Sequence, residues 1–345
     1  MPEKNLKLSI LDQSVIRKGG NASQAIKETI ELVKLAEQLG YYRFWVSEHH
    51  NSTMIAGSTP ELLMVKLATE TNTIRIGSGG IMLSNHSALK MAENFRMLET
   101  LFPGRIDMGI GRAPGGDRVT AALLNPSNTF SENSYLSQLE QLNAFFHDEA
   151  STGYGRILAV PQSNTIPQQW MLSSSAGGSS RIAAKLGMGL AVARFINGHA
   201  DPEMVKQYHS QFEPCDELKK PTAILAISVI CAPTEEKASS LRKLIDYTLL
   251  KFEQGIFEPM GSAEEIADYH FSPQELIRID HNKGRIVSGT PSSVKSQLIN
   301  LAQEFDVDEI VITTMTYSKQ DRFESFRLIA EAFELTANTA LTKLN

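Results

Sequence analysis

Two adjacent histidines follow a short apolar segment, and their imidazoles suit acid–base chemistry near neutral pH. Residues 43–47 read RFWVS, with the aromatic and β-branched composition of a strand, and Glu48, His49 and His50 come next. A histidine can donate or accept a proton at physiological pH. Neighbouring side chains of a strand point to opposite faces, so one histidine at most is expected to face a given site. The alternative is one structural and one solvated histidine.

A pair of glycines interrupts a strongly apolar segment further along the chain. Residues 74–83 read IRIGSGGIML, and Gly79 and Gly80 lie in their middle. Adjacent glycines weaken a strand, and they are typical of a bulge or of a surface where a flat group approaches the backbone. Both interpretations stay open on the sequence.

The segment GIGRAPGGD, residues 109–117, places a cation where a strand is expected to end. Its GxGxxxG spacing differs from a dinucleotide fingerprint, and Pro114 with the next glycines continues a loop where that fingerprint needs a helix. The guanidinium of Arg112 could bind a phosphate through two parallel hydrogen bonds. A surface salt bridge is the alternative role for Arg112.

A second anion-binding candidate is the serine-rich segment SSSAGGSSRIAAKLG, residues 173–187. A helix is expected to begin near Ser180, so free backbone N–H groups and the positive end of the helix dipole would converge there. The segment lacks the lysine of a nucleotide-binding phosphate loop, and an ordinary serine-rich loop is the alternative.

The elements that must position these residues alternate between strands and helices. The pattern indicates parallel strands with helical crossovers. Eight such strands favour an α/β fold of the TIM (β/α)8 barrel type with insertions over an open doubly wound sheet, and a barrel mounts its site at the carboxyl ends of the strands. The predicted strands are residues 6–11, 43–47, 74–83, 105–110, 169–172, 189–193, 222–231 and 309–314.

We interpret residues 1–345 as a single barrel domain with insertions around 115–168 and 251–289. Long insertions are commonly lids or interface elements. The second contains four aromatic residues that could form the apolar underside of a lid over the site, with a static packing or subunit-interface role as the alternative. These residues are Phe252, Phe257, Tyr269 and Phe271.

Composition excludes several classes of function. The chain is 42% hydrophobic and 21% charged, which is ordinary for a globular enzyme, and its net charge of −6 with no basic stripe argues against nucleic-acid and membrane partners. Cys215 and Cys231 have no CxxC spacing, no HExxH motif occurs, and no metal site is expected. A signal peptide and a membrane span are not apparent, so we expect a cytoplasmic protein.

The chain resembles the bacterial luciferase-like flavin-dependent monooxygenase superfamily. Four segments carry the resemblance in the same order along the chain: the EHH segment, the glycine pair, the GR segment and the serine-rich loop. The resemblance implies a TIM barrel that uses reduced FMN. It places His49 beside the flavin as the catalytic residue, and it puts a cis peptide bond of the glycine pair under the ring. The implied FMN-binding residues are Gly79, Gly80, Gly111, Arg112, Ser175, Gly177, Gly178, Ser179 and Ser180.

The activity implied is FMN-dependent oxidation of a small organic substrate by O2. Because no nicotinamide fingerprint is visible, we expect reduced FMN to come from a separate flavin reductase, or nicotinamide to bind only transiently, and we expect a homo-oligomer, as a dimer. Such chemistry needs a dry pocket and a positioned proton donor or acceptor. Gly111 stands where some luciferases have a reactive cysteine and Ser175 where they have an acidic residue, so a non-luminescent relative is expected. A deazaflavin-dependent oxidoreductase and a flavin-binding protein without turnover are the alternatives.

Overall fold

The computed structural model describes residues 6–175 and 178–337, which form eleven strands, eleven α-helices and three short 3-10 helices. The strands are β1 (Lys7–Asp12), β2 (Arg43–Val46), β3 (Arg75–Met82), β4 (Ile106–Gly111), β5 (Ser151–Thr152), β6 (Gly155–Arg156), β7 (Gln168–Ser173), β8 (Gly189–Ala193), β9 (Ala223–Cys231), β10 (Ile286–Gly289) and β11 (Glu309–Thr313). The helices are α1 (Ala22–Leu39), α2 (Pro60–Thr69), α3 (Ala88–Leu101), α4 (Arg118–Leu124), α5 (Glu132–Phe146), α6 (Gly178–Lys185), α7 (Glu203–Gln211), α8 (Glu235–Glu253), α9 (Pro273–Asn282), α10 (Pro291–Glu304) and α11 (Lys319–Ala332).

Eight of the described strands form a closed parallel barrel. Neighbours follow the order β1, β2, β3, β4, β7, β8, β9 and β11, and β11 returns to pair with β1, where Ser9 lies opposite Val311. These are the eight strands that the sequence predicts, so the closed TIM barrel is confirmed. No helix in the described part of the chain is long and apolar enough to cross a membrane.

Three short strands were not predicted. Strand β10 lies inside the insertion at 251–289 and pairs with Ser228 to Cys231, the end of β9 that extends beyond its barrel neighbours. Strands β5 and β6 form a small hairpin inside the insertion at 115–168. Strands of two to four residues are too short to show a hydrophobic period.

Helix ends follow the sequence signals. Asn21 caps α1 in a reciprocal capping box with Gln24. The helix ends at Gly40, whose φ of 88° lies in the left-handed region, and a Cβ there would come within 2.5 Å of the Thr336 carbonyl oxygen. Pro60 begins α2, and Ser87 caps α3 by accepting a hydrogen bond from the Lys90 amide. The crossovers that hold β1 to β4 in place are therefore encoded locally.

The amino-terminal end of the barrel is filled by a buried ion network. Arg43 donates to both carboxylate oxygens of Glu309, at 2.6 and 3.0 Å, and to Asp107 at 2.7 Å. Asp107 also accepts from Arg75 at 2.6 Å and from the Trp45 indole at 3.1 Å. Above this network Trp45 packs edge-to-face on Trp170 with ring centroids 5.7 Å apart. The carboxyl-terminal end of the barrel is left open.

Candidate active site

A cavity of about 860 Å³ opens at the carboxyl ends of the barrel strands. This is the end where the sequence placed the site, and the volume is typical of a cofactor or substrate pocket. The cavity floor is apolar and the rim carries hydroxyl and guanidinium groups. Floor residues that point in from the barrel strands are Leu11, Trp45, Leu172, Ala191, Ala226 and Val311.

Of the two adjacent histidines, His49 lines the cavity and His50 does not. Strand β2 ends at Val46, but the backbone stays extended: the His49 amide donates to the Gly57 carbonyl and the His50 amide to the Gly115 carbonyl, at 2.8 and 3.0 Å. Alternation therefore continues past the strand. Burial lowers the pKa of His49, and this outweighs the opposing hydrogen bond to the Gly115 carbonyl and the charge of Glu48. His49 is thus held mainly neutral at the cavity wall.

His50 belongs instead to a cluster around the fully buried carboxylate of Glu48. The sequence does not indicate this cluster, because its members come from two segments that are more than thirty positions apart, residues 48–50 and 82–86. Glu48 lies at hydrogen-bond distance from four nitrogens: the ring Nε2 of His50 at 2.8 Å, the ring Nε2 of His86 at 2.9 Å, the side-chain amide of Asn85 at 3.1 Å and the backbone amide of Met82 at 2.8 Å.

The cluster shifts the titration of its members in opposite directions. Burial by itself would raise the pKa of Glu48, but the hydrogen bonds and charge of His86, with the bonds from His50 and Met82, lower the pKa overall. Burial likewise acts to lower the pKa of His86, and the hydrogen bond and charge of Glu48 raise it overall. Glu48 and His86 therefore behave as an ion pair behind the cavity wall.

We expect His86→Gln to cost about 1 to 2 kcal/mol of stability near pH 5.5 and much less at pH 8.5. The pKa of His86 is raised in the folded state, so protonated His86 stabilises the fold fully below the pKa of the unfolded chain, about 6.5. This stabilisation is lost as the pH rises through the pKa of the folded state. The pKa of Glu48 is lowered in the folded state, so ionised Glu48 stabilises the fold fully above the pKa of an unfolded glutamate, about 4.3. This stabilisation is lost as the pH falls through the pKa of the folded state.

Urea unfolding of both proteins at pH 5.5, 7.0 and 8.5 measures this difference in the free energy of unfolding. His270→Gln is the matched control, because His270 is an exposed histidine outside the cluster. A deficit that stays constant over this range would contradict the ion pair.

The glycine pair combines both of the features left open by the sequence. The ladder between β3 and β4 shifts register between Gly79 and Ile81, which is a bulge, and the peptide bond joining Gly79 to Gly80 is cis, as the resemblance implied. Gly79 lines the cavity. A Cβ on Gly79 would lie 2.9 Å from Leu11 and Trp45, and one on Gly80 would lie 2.5 Å from Leu172. Neither position has room for a side chain.

Arg112 and the serine-rich loop meet at one side of the rim. Arg112 is exposed and forms no ion pair with residues 6–175 or 178–337, so the surface salt bridge is not found there. Residues of the predicted set that line the cavity are His49, Gly79, Gly111, Arg112, Ser175 and Ser179. Gly80, Gly178 and Ser180 are not among the lining residues, and Gly177 lies outside the described residues.

The cavity is covered by the first insertion and not by the second. Arg118, Phe130 and Tyr135 belong to the segment at 115–168 and line the wall, whereas no described residue of 251–289 does. The expectation of a lid at 251–289 is therefore wrong for this structure. Its aromatics are engaged elsewhere, in a ring cluster with Tyr247 of α8 and in an exposed pair: Tyr247 with Tyr269, Tyr269 with Phe271, and Phe252 with Phe257.

The sequence model of the luciferase-like monooxygenase family matches residues 6–308. The chain is similar to protein YwcH of Bacillus subtilis (strain 168), with 44% identity over 94% of this chain and 98% of that protein. It is also similar to the N-acetyl-S-alkylcysteine monooxygenase of the same organism, with 34% identity over 95% of this chain and 98% of that enzyme.

Among solved structures, apo-MsnO8 superposes with a TM-score of 0.90 and 34% identity, over 96% of this chain and 100% of that one. Family match, relatives and fold agree over nearly the whole length. The chain therefore belongs to the luciferase-like monooxygenase family, and it is an enzyme of that class.

Proposed function

We propose that this enzyme is an FMN-dependent monooxygenase that uses reduced FMN and O2 to oxidise a small organic substrate. The observation that carries the proposal is a single cavity that combines a glycine surface, a partly buried histidine with a lowered pKa and an unpaired rim arginine: Gly79, His49 and Arg112. The relative named as an N-acetyl-S-alkylcysteine monooxygenase supports oxygen transfer as the reaction.

The residues present fit FMN. The missing side chain at Gly79 leaves bare backbone against which a flat ring can lie, next to the apolar floor. The hydroxyl oxygen of Ser47 is buried at the cavity and has no hydrogen-bond partner among the described residues, so it can serve a ring nitrogen or oxygen. Arg112, Ser175 and Ser179 would hold the phosphate, with backbone N–H groups at the start of α6.

When bound in its reduced form, FMN supplies the electrons that activate O2. The chain supplies the surroundings. The apolar floor keeps water from the reacting groups, which strengthens every polar contact made there. Burial lowers the pKa of His49, so its neutral ring can accept a proton from the cavity. A nicotinamide-binding fingerprint is not apparent in the sequence, and we propose a separate flavin reductase as the electron source.

The activity is tested with a pooled set of metabolites, purified protein, a flavin reductase, NADH, FMN and 18O2. We expect one or more compounds to gain a single 18O atom. A parallel reaction with reduced deazaflavin replaces FMN and its reductase, and turnover or tight binding with the deazaflavin alone would identify the competing oxidoreductase. FMN binding without consumption of any compound would favour a flavin-binding protein. Sedimentation equilibrium measures whether the chain is the homodimer that we propose.

We expect Arg112→Ala to weaken FMN binding about ten- to a hundredfold, because a charge-assisted contact with the phosphate is lost. Riboflavin, which lacks the phosphate, should bind both proteins equally. Fluorescence titration gives both dissociation constants. Arg327→Ala is the matched control, because Arg327 is an exposed arginine on α11 outside the cavity. An unchanged dissociation constant for FMN, or an equal loss of affinity for riboflavin, would show that the phosphate binds elsewhere.

A further inference from the structure

The cavity is lined by basic groups and by no acidic group of the described residues. Its cations are the guanidinium groups of Arg112 and Arg118, and no Asp or Glu of the described chain lines it. The whole chain has the opposite balance, with 39 acidic and 33 Lys and Arg residues. The positive charge is thus concentrated at the cavity, which favours anions there over neutral or cationic molecules.

The two arginines enter the cavity from two positions of the chain, the end of β4 and the start of α4. Arg112 follows β4, next to the serine loop that follows β7. Arg118 begins α4, and the segment before α4 is tied to the loop after β2: the Asp117 carboxylate accepts from Asn51 at 2.9 Å, and the Gly115 carbonyl accepts from the His50 amide. Arg118 therefore follows a segment that is tied to the loop carrying His49 and His50, whereas Arg112 directly follows β4.

Arg118 has no counter-ion in the described structure. It forms no ion pair with residues 6–175 or 178–337. The neighbouring carboxylate of Asp117 is already engaged, because it accepts from Asn51, from the Thr120 amide at 2.9 Å and from the Thr120 hydroxyl at 2.7 Å. A ligand that fills the cavity would remove water from the Arg118 guanidinium, and such a charge is costly to desolvate unless it is paired.

From this arrangement we infer that Arg118 binds an anionic head group of the substrate, and that the enzyme acts on small organic anions such as carboxylates. The inference rests on the proposed function, since FMN would supply the anion for Arg112 only. The apolar part of the substrate would contact the wall formed by Ala121, Ala122, Phe130 and Ile196. Arg118 is thus a specificity-determining residue.

The test uses FMN-loaded protein and a panel of small aliphatic and aryl skeletons, each supplied as the carboxylic acid, the primary amide and the primary amine. Octanoate, octanamide and octylamine form one such set. Ligand-observed NMR identifies binders, and changes in flavin absorbance give dissociation constants. We expect acids to bind at least about tenfold more tightly than their amides, and the amines to bind most weakly.

Arg118→Gln should weaken binding of the acids about ten- to a hundredfold. Binding of the amides should not change, because only the carboxylates form an ion pair with Arg118. Arg118→Lys should restore part of the affinity, and the control Arg327→Gln should change nothing. FMN affinity should be the same in all four proteins. Equal binding of acid and amide, no binding of any acid, or an unaltered preference in Arg118→Gln would overturn the inference.

Loss of FMN binding in Arg118→Gln, with the acid preference intact, would overturn it as well and assign Arg118 to the phosphate. Failure of the wild-type protein to bind FMN would count against the proposed function instead. The two failures are thus distinguishable before any substrate is known.

Discussion

His49→Ala is expected to lower substrate oxidation by about 100- to 10,000-fold, which is the usual loss when a positioned acid–base group is removed. His49 lines the cavity, and burial keeps its pKa below the ordinary value, so the neutral ring is available to accept a proton. FMN affinity and folding should change little, since His49 is not among the proposed phosphate contacts. NADH consumption should continue, with hydrogen peroxide released in place of oxidised product.

The measurement pairs product formation with peroxide release per NADH consumed, in the presence of a flavin reductase. His50→Ala is the matched control, because His50 is the adjacent histidine and its ring contacts Glu48 behind the wall. We expect that control to lose stability and to keep its coupling of NADH use to product. The same uncoupling in His50→Ala and none in His49→Ala would show that the roles of the two histidines are reversed.

Arg43→Met is expected to destabilise the fold by about 3 to 5 kcal/mol, the usual cost of removing one partner from a buried ion pair. Arg43 is 2% exposed and Glu309 is 4% exposed. Asp107 would keep its contacts with Arg75 and Trp45, but Glu309 would keep only the hydroxyl of Ser9, at 2.6 Å, as a side-chain partner among the described residues. An uncompensated carboxylate would then remain inside the barrel.

Urea unfolding at pH 7 measures the loss. The double variant Arg43→Met with Glu309→Gln removes the stranded charge, and it should recover a substantial part of the stability. Arg327→Met serves as the control for loss of an arginine at the surface. A cost below about 1 kcal/mol for Arg43→Met, or a double variant no more stable than the single one, would show that the network does not depend on charge balance.

The barrel was predictable because each of its eight strands carries its own signal. Strands such as residues 222–231 are long and apolar, and helices capped by Asn21 and Ser87 separate the strands at the spacing of parallel crossovers. The location of the site followed from this fold, since all parallel strands end at the same rim. Strand β10 was not predictable, because four residues with a partner more than fifty positions away have no local pattern.

The cover of the cavity shows the limit of local reasoning. Aromatic residues at 251–289 suggested an apolar underside, but Tyr269 and Phe271 find partners among themselves and on α8, and the wall comes from residues 118–135. Composition tells that apolar side chains must be buried somewhere. It does not tell which surface buries them, because that depends on where each insertion folds back onto the barrel.

By itself the sequence favoured the barrel and the end that carries the site, and the resemblance of its motifs to a known family selected His49, Gly79 and Arg112. The strand pattern and the strand ends are properties of neighbouring residues, which is why they can be read locally. Only the tertiary structure decided how the charges are paired. Glu48 meets His86 from 38 positions away, Arg43 meets Glu309 from 266 positions away, and Arg118 is left without a counter-ion in the described chain. Such pairing depends on the distance between charges in space. If the strands paired in another register, the same side chains would have other partners.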